Sequence, residues 1–225
     1  MLKDNWLIFK DINTLSEKLA RDILNVADYS IRSTNKFTIV LAGGSSFSNV
    51  YRILNNSKSN WKKWHIYIGD ERCLMQGDSN RNDYLINKIW LKDGPIPKKN
   101  INFIRAELGT KLGVSHYEKI VNNVKKFDIV LLGMGEDGHT ASLFPEHSYK
   151  KNSIVADERS PKYPAHRISM SYETLNKSSY VFKIISGFNK KYAVDLWRKG
   201  QDLPINKICG DQEKVYACQD CIISD

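Results

Sequence analysis

The stretch Phe127-Asp-Ile-Val-Leu-Leu-Gly-Met-Gly-Glu-Asp-Gly-His-Thr-Ala-Ser-Leu-Phe-Pro145 decides the fold class. Its first six residues form a short, mostly apolar run, as expected of a strand covered on both faces in a parallel sheet. Gly133, Gly135 and Gly138 follow, freeing the backbone for a tight turn. That turn carries one acid, Asp137, and one imidazole, His139. A strand that runs into a glycine-rich loop bearing titratable groups is how an open α/β sheet places a base at its carboxyl end.

The same alternation extends outward in both directions. Phe37-Thr-Ile-Val-Leu-Ala42 and Trp64-His-Ile-Tyr-Ile-Gly69 read as further strands, joined by a brief one at Ile101–Ile104 and by Arg167–Ser171 and Tyr180–Ile185. Between them lie helical spacings. Thr14-x-x-Glu17 is a capping-box pattern ahead of Leu15, Leu19, Ile23 and Val26. Phe47, Val50, Tyr51 and Leu54 mark one helix face, and Ser79 is placed to cap a helix carrying Leu85, Ile86, Ile89 and Trp90. Ser115-x-x-Glu118 is a second capping box, and Lys190–Lys199 forms a helix closed by Gly200. No linker, repeat or low-complexity segment interrupts the pattern. It predicts one domain over residues 1–225, α/β and doubly wound, with a mostly parallel sheet and helices on both faces.

Composition limits the function classes. Of 225 residues, 41% are hydrophobic and 26% charged, which suffices for a packed core. No apolar run nears the roughly 20 residues of a membrane-spanning helix. The first residues lack a signal-peptide pattern, so a cytoplasmic location is expected. The net charge is +9, but Lys and Arg are scattered in short pairs such as Lys62-Lys63, Lys98-Lys99 and Lys125-Lys126. Without a basic stripe interleaved with aromatics, nucleic acid is not expected as a partner. Steering of a small anion remains compatible with the charge. Cys73, Cys209, Cys218 and Cys221 are expected as thiols. The Cys218-x-x-Cys221 pair lacks the second pair or nearby histidine of a zinc site. The sequence carries no sign of oligomeric state.

Three motifs carry chemistry. Gly43-Gly-Ser-Ser46 stands between a strand and a helix, where small residues, hydroxyls and free N–H groups suit a phosphate; it matches neither of the common nucleotide loops. Gly69-Asp-Glu-Arg72 puts Asp70, Glu71 and Arg72 at a strand end. The third is the turn around His139, the one histidine in a glycine-rich context; His65, His116, His147 and His166 are expected to be structural.

In their order and spacing these motifs resemble the 6-phosphogluconolactonase family, which also includes glucosamine-6-phosphate deaminase. The resemblance covers nearly the whole chain. It implies a modified Rossmann-like sheet, no metal or organic cofactor, and hydrolysis of a phosphorylated sugar lactone, 6-phospho-D-glucono-1,5-lactone, to 6-phosphogluconate. It implies a catalytic set of His139 as base with Asp137, Arg72 and Asp70. Two roles stay open for Asp137, orienting the imidazole or the substrate. Two stay open for Arg72, supporting the oxyanion or ordering the acidic cluster. The resemblance further implies substrate contacts from Gly43, Gly44, Ser45, Ser46, Arg167 and Lys190, with Lys191 an adjacent rival for the lysine. The chain departs from the family at Glu136, often Pro, and in the segment Val215–Cys221. The deaminase branch places a Glu where this chain has Phe144, which disfavours isomerisation.

Overall fold

A computed structural model describes residues 4–222. β1 (Trp6–Phe9) leads into the long helix α1 (Ile12–Thr34). β2 (Phe37–Leu41) and α2 (Ser48–Asn55) follow, then β3 (Trp64–Ile68), the short β4 (Asp70–Arg72) and α3 (Asn82–Ile86). β5 (Ile101–Asn102), α4 (Gly109–Val121), β6 (Phe127–Gly133) and β7 (Ile154–Asp157) come next. β8 (Arg167–Met170), α5 (Tyr172–Asn176), β9 (Ser178–Ile185), α6 (Lys191–Arg198) and β10 (Gln212–Cys218) complete the order.

Seven strands form one parallel sheet in the order β1-β10-β9-β6-β2-β3-β5. Every residue of β2 is buried, as is most of β3 and β6, which explains their apolar runs. From β2 the chain winds towards β3 and β5, and from β6 it winds the opposite way, towards β9 and β10. The carboxyl ends of β2 and β6 therefore flank the point where the winding reverses, the place an open α/β sheet opens a crevice.

The remaining strands form an antiparallel sheet, β4-β8-β7. Gly69 alone separates β3 from β4. Its N–H donates to Leu41 O at 2.9 Å, and its carbonyl accepts from Met170 N–H at 2.8 Å, so one residue joins the two sheets. The Asp70–Arg72 triplet is thus a strand in its own right rather than the end of β3, and Arg167–Met170 pairs with it outside the main sheet.

Several helix starts differ from the capping patterns. Asp11, not Thr14, caps α1: its Oδ1 accepts Thr14 N–H at 2.8 Å. Ser79 caps nothing, because the first amides of α3 are taken by a strand residue. Glu71 Oε1 accepts from Asn82 N–H and Oε2 from Asp83 N–H, each at 2.8 Å. α4 begins at Gly109, which leaves Ser115 mid-helix. Gly113 lets this helix press on the small sheet: a Cβ there would stand 2.4 Å from Ile168 Cδ1. All four cysteines are free thiols, and the buried Cys221 donates to Cys218 O at 3.0 Å.

Candidate active site

A cleft of about 640 Å³ opens at the carboxyl ends of β2 and β6. Gly43, Gly44, Ser45 and Ser46 line it from the loop after β2, and His139 from the loop after β6. Asp70 and Arg72 reach it from β4, Arg167 from β8, and Lys190 from the turn before α6. Asp137 stands behind His139 rather than on the cleft wall.

The loop after β6 is tied to itself. Gly135 N–H donates to His139 O at 2.8 Å, and Thr140 Oγ1 to Gly133 O at 2.7 Å. Gly138 takes a φ of 81° that a side chain would resist, and Ala141 accepts φ 48° at the cleft wall despite its Cβ. The bends bring Asp137 Oδ1 into a short hydrogen bond with His139 Nδ1, and the same oxygen accepts His139 N–H at 3.3 Å. Burial alone would raise the Asp137 carboxyl. The bonds and charge of His139 outweigh it and hold the group at about 2. An ionised Asp137 accepts a hydrogen bond from Nδ1–H, which in the neutral imidazole leaves the lone pair on Nε2. Of its two open roles, the geometry brings Asp137 to the imidazole.

Asp70 spends its carboxylate on neighbours. Oδ1 accepts from Asn82 Nδ2 at 3.1 Å and Oδ2 from Ser142 Oγ at 2.7 Å. It thereby links the loop of His139 to Asn82, whose amide lies against Gly43. A Cβ at position 43 would sit 1.8 Å from Asn82 Oδ1, so only glycine lets the phosphate-type loop pass. Gly44 follows with φ 98° and turns the chain into α2.

The cations are arranged differently. Arg72 and Arg167 stand opposite each other in the β4–β8 register. Arg167 is buried; its Nε donates to Pro164 O at 3.1 Å and one Nη to Lys162 O and Tyr163 O at 3.1 and 3.0 Å. Burial, then the Arg72 charge, push its guanidinium down from the ordinary value. Arg72 Nη1 donates to Asn80 O, while its buried Nε has no hydrogen-bond partner. Among the described residues neither guanidinium has a carboxylate in ion-pair contact. Asp70, Asp157 and Glu71 act on Arg167 from a distance, but two adjacent guanidiniums at a cleft, neither in a direct ion pair, still attract an anion.

Lys190 ends a short turn that starts at Gly187, φ 102°. Burial pushes its ammonium down, as does Lys162; Glu136 and Asp137 act the other way. Its neighbour Lys191 lies over the Phe188 ring at 4.5 Å and does not line the cleft, so the geometry favours Lys190 over its rival. No group of three or more His, Cys, Asp or Glu among the described residues is placed to hold a metal ion.

The family model described as glucosamine-6-phosphate isomerases/6-phosphogluconolactonase matches residues 10–217. The chain belongs to this family. It is similar to 6-phosphogluconolactonase 3, chloroplastic, of Arabidopsis thaliana, with 28% identity over 92% of this chain and 71% of the relative. It is also similar to the crystal structure of 6-phosphogluconolactonase from Thermotoga maritima, with 26% identity, TM-score 0.88, and coverage of 95% of this chain and 98% of that one. A monomeric glucosamine-6-phosphate deaminase superposes with TM-score 0.83 at 19% identity over 96% of this chain and 98% of that one, so the fold alone does not separate the two branches.

Within the family's frame, Phe144 is telling. It is buried and packs on His139 with ring centroids 4.6 Å apart, leaving no second carboxylate against the imidazole at that place. Sequence reading missed other cleft residues: Asn82, Lys162, Tyr163, Ser186 and Asn189. They are single polar or aromatic side chains: Asn82 opens α3, Lys162 and Tyr163 precede β8, and Ser186 and Asn189 follow β9. Only nearness to Arg167 and Lys190 in the chain signals Lys162 and Asn189. No helix among the described residues is long and apolar enough to cross a membrane.

Proposed function

We propose that the protein hydrolyses 6-phospho-D-glucono-1,5-lactone to 6-phospho-D-gluconate, as a single domain in the cytoplasm. The observation that carries this reading is one cleft with a carboxylate-oriented imidazole on one wall and unpaired cations on the others.

The lactone is an activated ester, and its hydrolysis needs a base, a positioned water and support for an oxyanion. His139 Nε2 takes a proton as water oxygen bonds to the lactone carbonyl carbon. The C=O electron pair moves onto oxygen, and the Arg72 guanidinium at the cleft wall supports that charge. Collapse re-forms the carbonyl and breaks the bond to the ring oxygen, which receives the proton back from the imidazolium. The resulting acid ionises in solution. Asp137 fixes the imidazole and stabilises its charge. Lys190, Arg167 and the Gly43–Ser46 loop hold the phosphate away from the reacting carbon, so that its binding energy orients the lactone.

One imidazole serves twice in this sequence. An isomerase must move a proton between carbons and usually needs a second acid–base group, a place filled here by Phe144. The test is lactone hydrolysis by the purified protein, with the spontaneous rate subtracted, beside ammonia release from glucosamine 6-phosphate. Wild type should hydrolyse the lactone and release no ammonia, and His139→Ala should lose about 10²–10⁴-fold in rate. A folded His139→Ala variant with near wild-type rate removes the proposed base. Ammonia release without hydrolysis reassigns the protein to the deaminase branch.

A further inference from the structure

Asp137 holds the His139 imidazole by one edge, and the Phe144 ring backs its face. The two rings are tilted by 38°. The Arg167 guanidinium carbon lies 5.7 Å from the same Phe144 centroid. One buried aromatic thus packs on both the proposed base and a proposed phosphate ligand. What fixes Phe144 lies outside the cleft. Its backbone N–H donates to the Tyr149 hydroxyl at 2.9 Å, and that hydroxyl donates to Asp157 Oδ2 at 2.8 Å. His147 Nδ1 meets the same oxygen at 2.6 Å, and Asp157 Oδ1 accepts Arg159 N–H at 2.9 Å. Asp157 ends β7 directly opposite Arg167 in the β7–β8 register.

The intervening turn requires outside support. Glu146 sits in it with φ 62°, a region a side chain resists. Tyr149 offers one donor and an acceptor, and both are engaged. Burial pushes its phenol far above the ordinary value, so it stays a neutral hydroxyl. Burial would raise the Asp157 carboxyl, but bonds from Tyr149 and His147 hold it below its ordinary value, where it is a steady acceptor.

We infer that Tyr149 is a positioning residue: by tying the Phe144 backbone to Asp157, it sets the aromatic floor that keeps His139 Nε2 aimed at the reacting carbon. The inference rests on His139 acting as the base. An imidazole gripped through Nδ1 alone can still pivot about that bond. A general base must come within about 3 Å of the proton it takes, so small pivots cost rate. The floor blocks the pivot, and Tyr149 is the link that anchors the floor to the small sheet.

Tyr149→Phe removes one oxygen and keeps the ring. It should lower kcat about tenfold and raise KM for the lactone by a smaller factor, because Phe144 packs on only one of the proposed phosphate ligands, Arg167, and Lys190 and Ser45 are not disturbed. Asp157→Asn keeps an oxygen for Tyr149 and should lose less kcat than Asp157→Ala. An activity-independent readout is the ¹⁵N spectrum of the His139 ring. Wild type should show sharp ring signals of one tautomer protonated on Nδ1, and Tyr149→Phe the same tautomer with ring signals broadened by exchange between orientations; equally sharp signals in both overturn the inference. Unchanged kcat in folded Tyr149→Phe, or a loss confined to KM, overturns the inference. If Tyr149→Phe does not fold, the Asp157 pair decides: equal losses in Asn and Ala overturn it. If wild type hydrolyses no lactone, the functional reading fails, and the ring spectra alone decide the positioning role.

Discussion

Alanine at position 135 perturbs the site through shape alone. Gly135 has no positive φ, so its backbone accepts an L-residue, and a glycine-to-alanine change at such a place usually stabilises by about 0.4–1 kcal/mol. Here the added methyl carbon would lie 2.0 Å from His139 Nδ1, 2.1 Å from Cε1 and 2.6 Å from Asp137 Oδ1. Ordinary contact begins at 3.4 Å, so the imidazole must retreat by about 1.4 Å or the Asp137 bond must open. A misplacement of about 1 Å at a reacting group costs on the order of 10²-fold in rate, or about 2.7 kcal/mol of transition-state stabilisation. Gly135→Ala should therefore fold and melt near the wild-type temperature. It should bind 6-phosphogluconate with nearly wild-type Kd, and hydrolyse the lactone about 10²-fold more slowly. The measurements are background-corrected initial rates, calorimetric Kd and a thermal melt on the same preparation. A folded Gly135→Ala within threefold of the wild-type rate would show that the placement of the imidazole does not govern the reaction.

Further expectations bear on the phosphate end and on cofactors. Arg167→Ala and Lys190→Ala should weaken 6-phosphogluconate binding more than gluconate binding in calorimetry, and Lys191→Ala should not; equal weakening for both ligands would mean that the pair does not read the phosphate. Because burial lowers the Lys190 pKa, the free protein loses this charge at a lower pH than an ordinary lysine does. A bound phosphate favours the charged form, so 6-phosphogluconate affinity should decline as pH rises through that lowered value, and Lys190→Arg should abolish the decline. A strong chelator should leave the lactonase rate unchanged, as no metal-ligand spacing is evident in the sequence; a chelator-sensitive rate would point to a bound metal.

The sequence exposes what depends on neighbours in the chain and hides what depends on neighbours in space. β2, β3 and β6 are legible because burial on both faces forces continuous apolar runs. The loops at their carboxyl ends are legible because close backbone approach demands glycine, as Gly43 against Asn82 and Gly135 against His139 show. β1 and β7 are not. Each has only four residues and neither is followed by a glycine-rich loop; β1 is apolar throughout but too short to be told from a turn of buried helix, and β7 ends on the charged Asp157. The capping patterns at Thr14 and Ser115 are locally sound but lose to tertiary context. Asp11 is the better cap of α1, and contact between Gly113 and Ile168 carries α4 through Ser115. Glu71 is the clearest case of a hidden role. In sequence it belongs to a charged triplet at a strand end, yet it is fully buried and serves as the remote cap of α3. The Phe144–Tyr149–Asp157 chain of bonds is invisible for the same reason, since β7 has to be placed before Asp157 can meet Tyr149.

The edge of the main sheet has a consequence for how the chain acquires its shape. Among the described residues β1 borders only β10 in the sheet, with Trp6 aligned to Val215 and Phe9 to Cys218. A chain growing on the ribosome makes its first strand long before the partner of that strand exists. Until β10 emerges, Trp6 and Leu7 have no ladder to join, and β9 keeps an open edge beside β6. Pairings this far apart in sequence are slow to close and leave apolar edges exposed meanwhile. Shortening the chain before Gln212 would strip two strands from that edge at once: β10 by deletion and β1 by loss of its template.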